Sequence, residues 1–394
     1  MRRWGNIWFL ILLLGVFLWG GIAFVKEETL VSKMENRNLQ VFPHLTLASF
    51  EAGNFQDEFE AALSDQFVGS EQIRVFYRQA LANLPTSGLK EIICHNRYLE
   101  LTSDTERRRG TFNCEDYIMY LPEPITEEQE KIVVENINKY NHLNRMSEVY
   151  YYFVDDPSSF DFEQNERVVD YSKILVEGLK AQAGLDVLKY DDFEAYKKYF
   201  YKTDHHWDYR GSYQGVNDIL EMMKIKNTLE PKEVFTNHES FFGSYARGTN
   251  NYDFEEEFKF YDFEIPEHTT LINGKQEKYN HYTEYKNHDY EYEKAANYYA
   301  YVYGDDYAEV VFDFREPEED NLLIISNSYS NAINELIAQY FNKTYVVDLR
   351  HYKETFNKDF EVSKYLKEKE IDKVLVLMSP TFIRAEESNR GLES

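Results

Sequence analysis

Residues Asn321 to Asn331 read NLLIISNSYSN. Four consecutive aliphatic side chains, Leu322 to Ile325, are followed by a cluster of small polar residues, and helical spacing then continues from Asn331 to Phe341. This is the pattern of a buried strand, a tight turn and a helix. Ser328 falls on the turn, near the positive end of the following helix, where backbone N–H groups can stabilise an oxyanion. Ser328 or Ser330 would serve equally well as an ordinary helix cap.

Working outward, the same alternation recurs. Tyr345-Val346-Val347 and Lys373 to Met378 (KVLVLM) read as further buried strands, and Val149 to Val154 (VYYYFV) as a strong one. Thr126 to Tyr140 reads as a helix opened by Thr126, and Val168 to Ala183 as a helix closed by Gly184. Asp191 to Tyr201 reads as a third, short helix. Strands alternating with helices predict a three-layer α/β/α domain with a mostly parallel sheet. Between its two parts, about residues 233–319, lies an insertion dominated by aromatic and acidic residues. Tyr282 to Tyr303 alternates Tyr with Glu, Lys or Asn, as half-buried β-structure does. Upstream, Phe55, Phe59, Leu63 and Phe67 recur every four residues, and Asn54 to Leu84 has helical spacing. Glu91 to Ile93 and Asp116 to Leu121 read as short strands.

The N-terminus differs in kind. Ile7 to Val25 (IWFLILLLGVFLWGGIAFV) contains no charged residue, and 19 residues at about 1.5 Å each approach the ~30 Å of a hydrocarbon core. Arg2 and Arg3 precede the run, so the positive-inside rule places the short N-terminus in the cytoplasm and the rest outside. No small-x-small signal follows, which favours an uncleaved anchor over a removed signal peptide. The expected organisation is therefore a signal-anchor over 1–26, a stalk over 27–50 and an extracytoplasmic domain over 51–394. Cys94 and Cys114 would lie in a disulfide-permissive place, and a bond between them would add roughly 3 kcal/mol in the loop-entropy model; two reduced cysteines are the alternative.

Composition narrows the function classes. With 43 basic and 70 acidic residues the formal charge is −27, which disfavours nucleic acid as a partner. Two cysteines exclude a zinc-ribbon or disulfide framework. An aromatic share of 16% excludes general disorder.

Lys202 to Gly211 (KTDHHWDYRG) carries the second chemical signal. A carboxylate two residues before an imidazole, Asp204 before His206, can share one loop with it. The carboxylate fixes the tautomer and leaves the opposite ring nitrogen to take a proton from a hydroxyl nucleophile. A satisfied core histidine is the plainer alternative, weakened by two adjacent histidines between Asp204 and Trp207.

Asp204-His205-His206-Trp207, with LLIISNSYSN and YVVDLRHY (Tyr345 to Tyr352), resembles the bacterial DHHW proteins. These are similar to SGNH hydrolases and to exported proteins that acetylate alginate and similar envelope polysaccharides. Phe59 to Gly69, Phe242 to Ala246, Tyr299 to Asp305 and Ile371 to Met378 occur in the expected order, so the resemblance covers most of the chain after the anchor. It implies Ser328 as nucleophile, His206 as general base and Asp204 as its orienting carboxylate. Arg350, Tyr352, Trp207, His205 and Asn327 are expected on the substrate side, with structural pairing after the strand the alternative for Arg350 and Tyr352, and loop support the alternative for His205. It further implies a cell-envelope polysaccharide as substrate, a multi-spanning membrane acyltransferase as acyl donor partner, and no metal or other cofactor. The chain departs from the family where Gly-Asp-Ser becomes Ser326-Asn327-Ser328. Loss of Gly restricts the turn, and loss of Asp removes a charge, so a degenerate, glycan-binding member is the second reading. Asp-His-His also marks manganese-dependent phosphoesterases, but their upstream series of Asp-rich motifs is not apparent.

Overall fold

A computed structural model describes residues 10–11, 13–15, 18–32, 37–46, 54–70, 72–73, 76, 111–114, 116–120, 125–155, 169–190, 192–249, 251–279 and 297–393. The chain divides into two compact units: Met1–Arg108 with Ser244–Asp253 and Lys294–Ala296, and Arg109–Gly243 with Phe254–Glu293 and Asn297–Ser394.

In the first unit the predicted helix runs Asn54–Gln66. The four-residue spacing puts Phe55 and Phe59 on one side, their rings 5.8 Å apart, and Phe59 packs against Phe42 and Phe24. Gln66 holds the segment beside it, donating to the carbonyls of Thr29 and Gln40 at 2.9 and 2.8 Å. Residues 7–9, 12, 16 and 17 of the expected membrane span lie outside the described residues. Among the described residues no helix is long and apolar enough to cross a membrane. Cys94 and the strand expected at 91–93 also lie outside the described residues.

The second unit is built on an eight-stranded sheet. In chain order its strands are β1 (Glu148–Val154), β2 (Gly184–Leu188), β3 (Thr269–Ile272), β4 (Lys275–Gln276), β5 (Glu309–Asp313), β6 (Asn321–Ser326), β7 (Lys343–Val347) and β8 (Lys373–Met378). They lie in the order β4-β3-β5-β7-β6-β8-β1-β2. The five from β7 to β2 run parallel. Covered on both faces, β6, β8 and β1 are near-continuous apolar runs, as interior parallel strands must be.

The expected insertion, about residues 233–319, contributes to the main sheet. Its residues supply β3, β4 and β5, which extend the sheet antiparallel from β7. Asn273 and Gly274, both at positive φ, close the two-residue β3–β4 hairpin, a turn for which Asn-Gly is the preferred pair. A separate antiparallel hairpin, Val234–Phe241 with Glu256–Tyr261, also comes from the insertion. The alternation expected over 282–303 is only partly within the described residues. Its last part, Tyr298–Tyr303, is a helix capped by Asn297 rather than β-structure.

Helices cover the sheet. Glu127–Leu143 opens on a capping box between Thr126 and Gln129 and buries Val133, Tyr140 and Leu143. Three elements are shorter than their patterns suggest: Tyr171–Gly178, Phe193–Tyr196 and Asn334–Ala338. Gly184 begins β2 instead of closing a helix, and a Cβ there would press on Met222 and Tyr150.

Candidate active site

β6 ends at Ser326, and the chain turns directly into a short 3-10 segment, Ser328–Ser330. Asn327 caps it, its Oδ1 accepting from the Tyr329 N–H at 3.1 Å. The missing Gly causes no strain: Asn327 sits in extended backbone, and Ser326 is not among the positive-φ residues. A ladder of hydroxyls stabilises the turn, with Ser326 Oγ 2.7 Å from Ser330 Oγ and Ser330 Oγ–H donating to the Asn327 carbonyl at 3.2 Å.

The histidine loop precedes the helix Tyr209–Met222, whose N-cap Asp208 accepts from the N–H groups of Arg210 and Gly211. The loop is closed by a bridge between Phe200 and Trp207 and by the Asp208 N–H donating to the Tyr199 carbonyl at 2.7 Å. Two helix glycines one turn apart admit it. A Cβ on Gly211 would lie 2.4 Å from the Tyr199 carbonyl oxygen, and one on Gly215 would lie 2.6 Å from the Trp207 ring.

This packing brings three expected residues together across 122 positions of sequence. His206 Nε2 lies 2.8 Å from Ser328 Oγ, and His206 Nδ1 lies 2.6 Å from Asp204 Oδ1. The same carboxylate oxygen accepts from the His206 N–H at 3.0 Å, which fixes the loop as well as the ring. Asp204 and His206 are buried, so their interaction is little screened by solvent. With the proton on Nδ1, Nε2 is the acceptor facing the serine hydroxyl.

The other expected residues divide. His205 lies beside His206, ring centroids 3.7 Å apart, with Nδ1 3.4 Å from Asp204 Oδ1. Burial, reinforced by the neighbouring imidazole, lowers its pKa to about 3, so it stays neutral at physiological pH. Asn327 is buried beside Ser328, and its Nδ2 has no hydrogen-bond partner among the described residues. Arg350 is already committed: its Nε donates to Asp348 Oδ1 at 2.9 Å, and its Nη2 to Asp306 Oδ2 at 3.1 Å. Two expectations are corrected. Trp207 is fully buried against Gly215 and Tyr152, leaving no ring face for a ligand. Tyr352 is a core residue packed on Phe356 and Phe360.

Tyr299 carries no assigned role in the sequence reading. Its ring stacks on His206 at 3.8 Å and 9°, and its hydroxyl donates to the Ser328 carbonyl at 3.2 Å. One buried side chain thus touches both the base and the nucleophile's backbone. Its only sequence signal was membership of the loose block at 299–305. Tyr329 braces the loop from the other side, donating to the His205 carbonyl at 2.6 Å.

Among the described residues, two groups bring possible metal ligands within 4.8 Å of one another: Asp204, His205 and His206, and Asp306, Asp348 and His351. In the first, Asp204 Oδ1 and both His206 nitrogens are already engaged within the Asp–His–Ser chain; in the second, Arg350 bonds both carboxylates. Neither donor set suits an ion without breaking those bonds.

No family model matches the chain. No curated protein matches it either. Solved structures do. A DHHW family protein from Eubacterium siraeum superposes with a TM-score of 0.53 at 17% identity, covering 72% of this chain and 94% of that one. Bacillus cereus PatB1 carrying a sulfonyl adduct gives 0.54 at 18%, covering 71% and 97%. A second PatB1 structure gives 0.52 at 19%, covering 71% and 98%. At these identities the likeness establishes a shared fold.

Proposed function

We propose that this chain is a serine acyl-ester enzyme, transferring acetyl groups to, or removing them from, a cell-envelope polysaccharide. The observation that carries the reading is the unbroken Asp204–His206–Ser328 hydrogen-bond chain, 2.6 and 2.8 Å long, at the C-terminal end of β6. His206 Nε2 takes the Ser328 proton as Oγ attacks the acyl carbonyl, and Asp204 holds the resulting imidazolium. The carbonyl oxygen becomes an oxyanion, and Asn327 Nδ2, without a hydrogen-bond partner among the described residues and on the residue beside the nucleophile, would be its donor. Collapse returns the proton through His206 to the departing alkoxide and leaves an acyl-serine. A sugar hydroxyl or water, deprotonated by His206, then attacks the acyl carbon, and His206 returns the proton to Ser328 Oγ as the ester bond to serine breaks.

The DHHW-type fold and the sequence resemblance support a polysaccharide substrate. A cleft of about 620 Å³ beside the Ser328 turn adds ring faces, among them Tyr209, Tyr213, Tyr261 and Phe263. Asn331 and Tyr303 also line it, and Tyr303 packs edge-on against Tyr299. Aromatic faces with few free cations suit a neutral sugar better than a polyanion. The apolar run Ile7 to Val25 supports a single-pass anchor with the enzyme outside the cell, where a multi-spanning membrane acyltransferase would supply acetyl groups. In the test, the full chain should release acetate from a 4-nitrophenyl or acetyl-sugar ester, and Ser328→Ala should be inactive. Equal activity in the two would remove the mechanism. Glycan binding by a wild-type protein unable to turn over any ester would favour the degenerate, binding-only reading.

A further inference from the structure

We infer that Glu256 is a positioning residue for the histidine loop, latching residues 202–203 and thereby setting where Asp204 and His206 stand; this rests on the Ser328–His206–Asp204 reading. Glu256 opens the second strand of the hairpin Val234–Phe241/Glu256–Tyr261. Its Oε1 accepts from the Thr203 N–H at 2.9 Å and from the Thr203 hydroxyl at 2.8 Å, and its Oε2 accepts from the Lys202 N–H at 2.9 Å. Thr203 Oγ1 in turn accepts from the Gly243 N–H at 2.9 Å, just beyond the hairpin's first strand. Glu256 and Gly243 therefore hold the loop from two points, at the residue before Asp204. Gly243 also has to lack a side chain, since a Cβ there would stand 2.3 Å from Asp204 Cβ.

The chemistry matches an acceptor-only group to a run of donors. Three donors on two consecutive residues converge on two oxygens, which an ionised carboxylate satisfies and an amide cannot. Glutamine in the same place would turn its NH₂ toward one of those N–H groups. Burial pushes the Glu256 carboxyl up to about 7, with the donors from Lys202 and Thr203 pulling it back and the charge of Asp204 raising it further. The charged and titratable groups around it include Asp204, Asp208, Arg210, Glu257, Lys259 and the Lys202 side chain, with Tyr117, Tyr201 and Tyr209 lining the same cleft. Lys202 Nζ pairs with Asp116, and Arg210 with Asp208, so neither supplies the counter-charge.

The experiment compares 4-nitrophenyl acetate hydrolysis by the full chain and by Glu256→Gln, Thr203→Val, the double variant, Ser328→Ala and the surface control Glu354→Gln, with thermal melts of each. Glu256→Gln and Thr203→Val should each lower kcat ~10–100-fold, as loosened support of a catalytic group does. KM should change less than about twofold, as for a group acting only through the transition state. The double variant should fall no further than the worse single, because both cut one latch. If Glu256→Gln does not fold, Thr203→Val carries the same comparison. Wild-type kcat in a folded Glu256→Gln or Thr203→Val, or losses that multiply in the double variant, overturns the inference. Ser328→Ala retaining activity overturns the reading beneath it; an inactive Ser328→Ala beside a fully active Glu256→Gln overturns the latch alone.

Discussion

Gly243→Ala places one methyl group where the structure has no room. The new Cβ would lie 2.3 Å from Asp204 Cβ and 2.6 Å from both Asp204 Cα and Oδ2. Carbon atoms in contact prefer about 3.5–4.0 Å, so Asp204 or the Gly243 backbone has to move by more than ~1 Å. Neither end yields easily. Gly243 is tied to Thr203 through its N–H, and Asp204 is tied to His206 twice. The 2.6 Å bond between Asp204 and His206 then stretches beyond hydrogen-bonding range. Overpacking of this kind costs ~1–3 kcal/mol of stability. A displacement of that size at a catalytic group costs ~10²-fold in rate, and complete loss of the orienting carboxylate would approach ~10⁴-fold. The assay is kcat for a chromogenic acetyl ester alongside a thermal melt. Gly243→Ala should retain cooperative melting at a lowered Tm and lose ~10²- to 10⁴-fold in kcat. A variant with kcat within twofold of wild type and an unchanged Tm would refute the packing argument.

Other predictions concern the same site. Asn327→Ala should lower kcat by ~10²-fold with little change in KM if its Nδ2 serves the oxyanion, and unchanged kcat would exclude that role. Tyr299→Phe keeps the stack on His206 and loses one hydrogen bond, for ~1 kcal/mol, whereas Tyr299→Ala opens a cavity costing ~3–5 kcal/mol and frees the imidazole; melts and ester turnover distinguish them. His205 has a folded pKa lowered to about 3, so between there and its unfolded value of 6.5 the unfolded chain binds more protons. His205 therefore makes stability rise with pH across that window and level off above it, and His205→Gln should flatten that acid limb in Tm against pH. Tyr213→Ala should raise KM for a glycan acceptor by ~2–10-fold through loss of a stacking face, and leave hydrolysis of a small ester unchanged.

The legible parts of the chain are those in which a single segment carries its own environment. NLLIIS and KVLVLM announce interior strands because a parallel sheet is covered on both faces, and alternation is then absent. Asp204 and His206 are readable because a two-residue spacing lets one loop bring them together. β-structure was expected in the insertion, but the described end of the alternation that suggested it is the helix Tyr298–Tyr303, and the pairing of β5 with β7 depended on tertiary contacts. Tyr299 and Glu256 act across the fold on residues distant in sequence, and nothing local in YYAY or EEF marks them. Trp207 and Tyr352 show the opposite failure. Adjacency to site residues suggested contact with substrate, but the loop and the helix after β7 turn both rings into the interior. The Ser326-Asn327 substitution looked costly because Gly favours positive φ, yet the turn is made from extended backbone and a hydroxyl ladder.

The central claim is that Ser328 is the nucleophile and His206 activates it. The most direct measurement is peptide mass mapping of the full chain after reaction with a sulfonyl fluoride, set beside Ser328→Ala and His206→Ala. The account predicts one adduct, on Ser328, formed at a rate that His206→Ala lowers at least ~10³-fold, and no adduct in Ser328→Ala. Labelling of another residue with ester turnover intact in Ser328→Ala would contradict it.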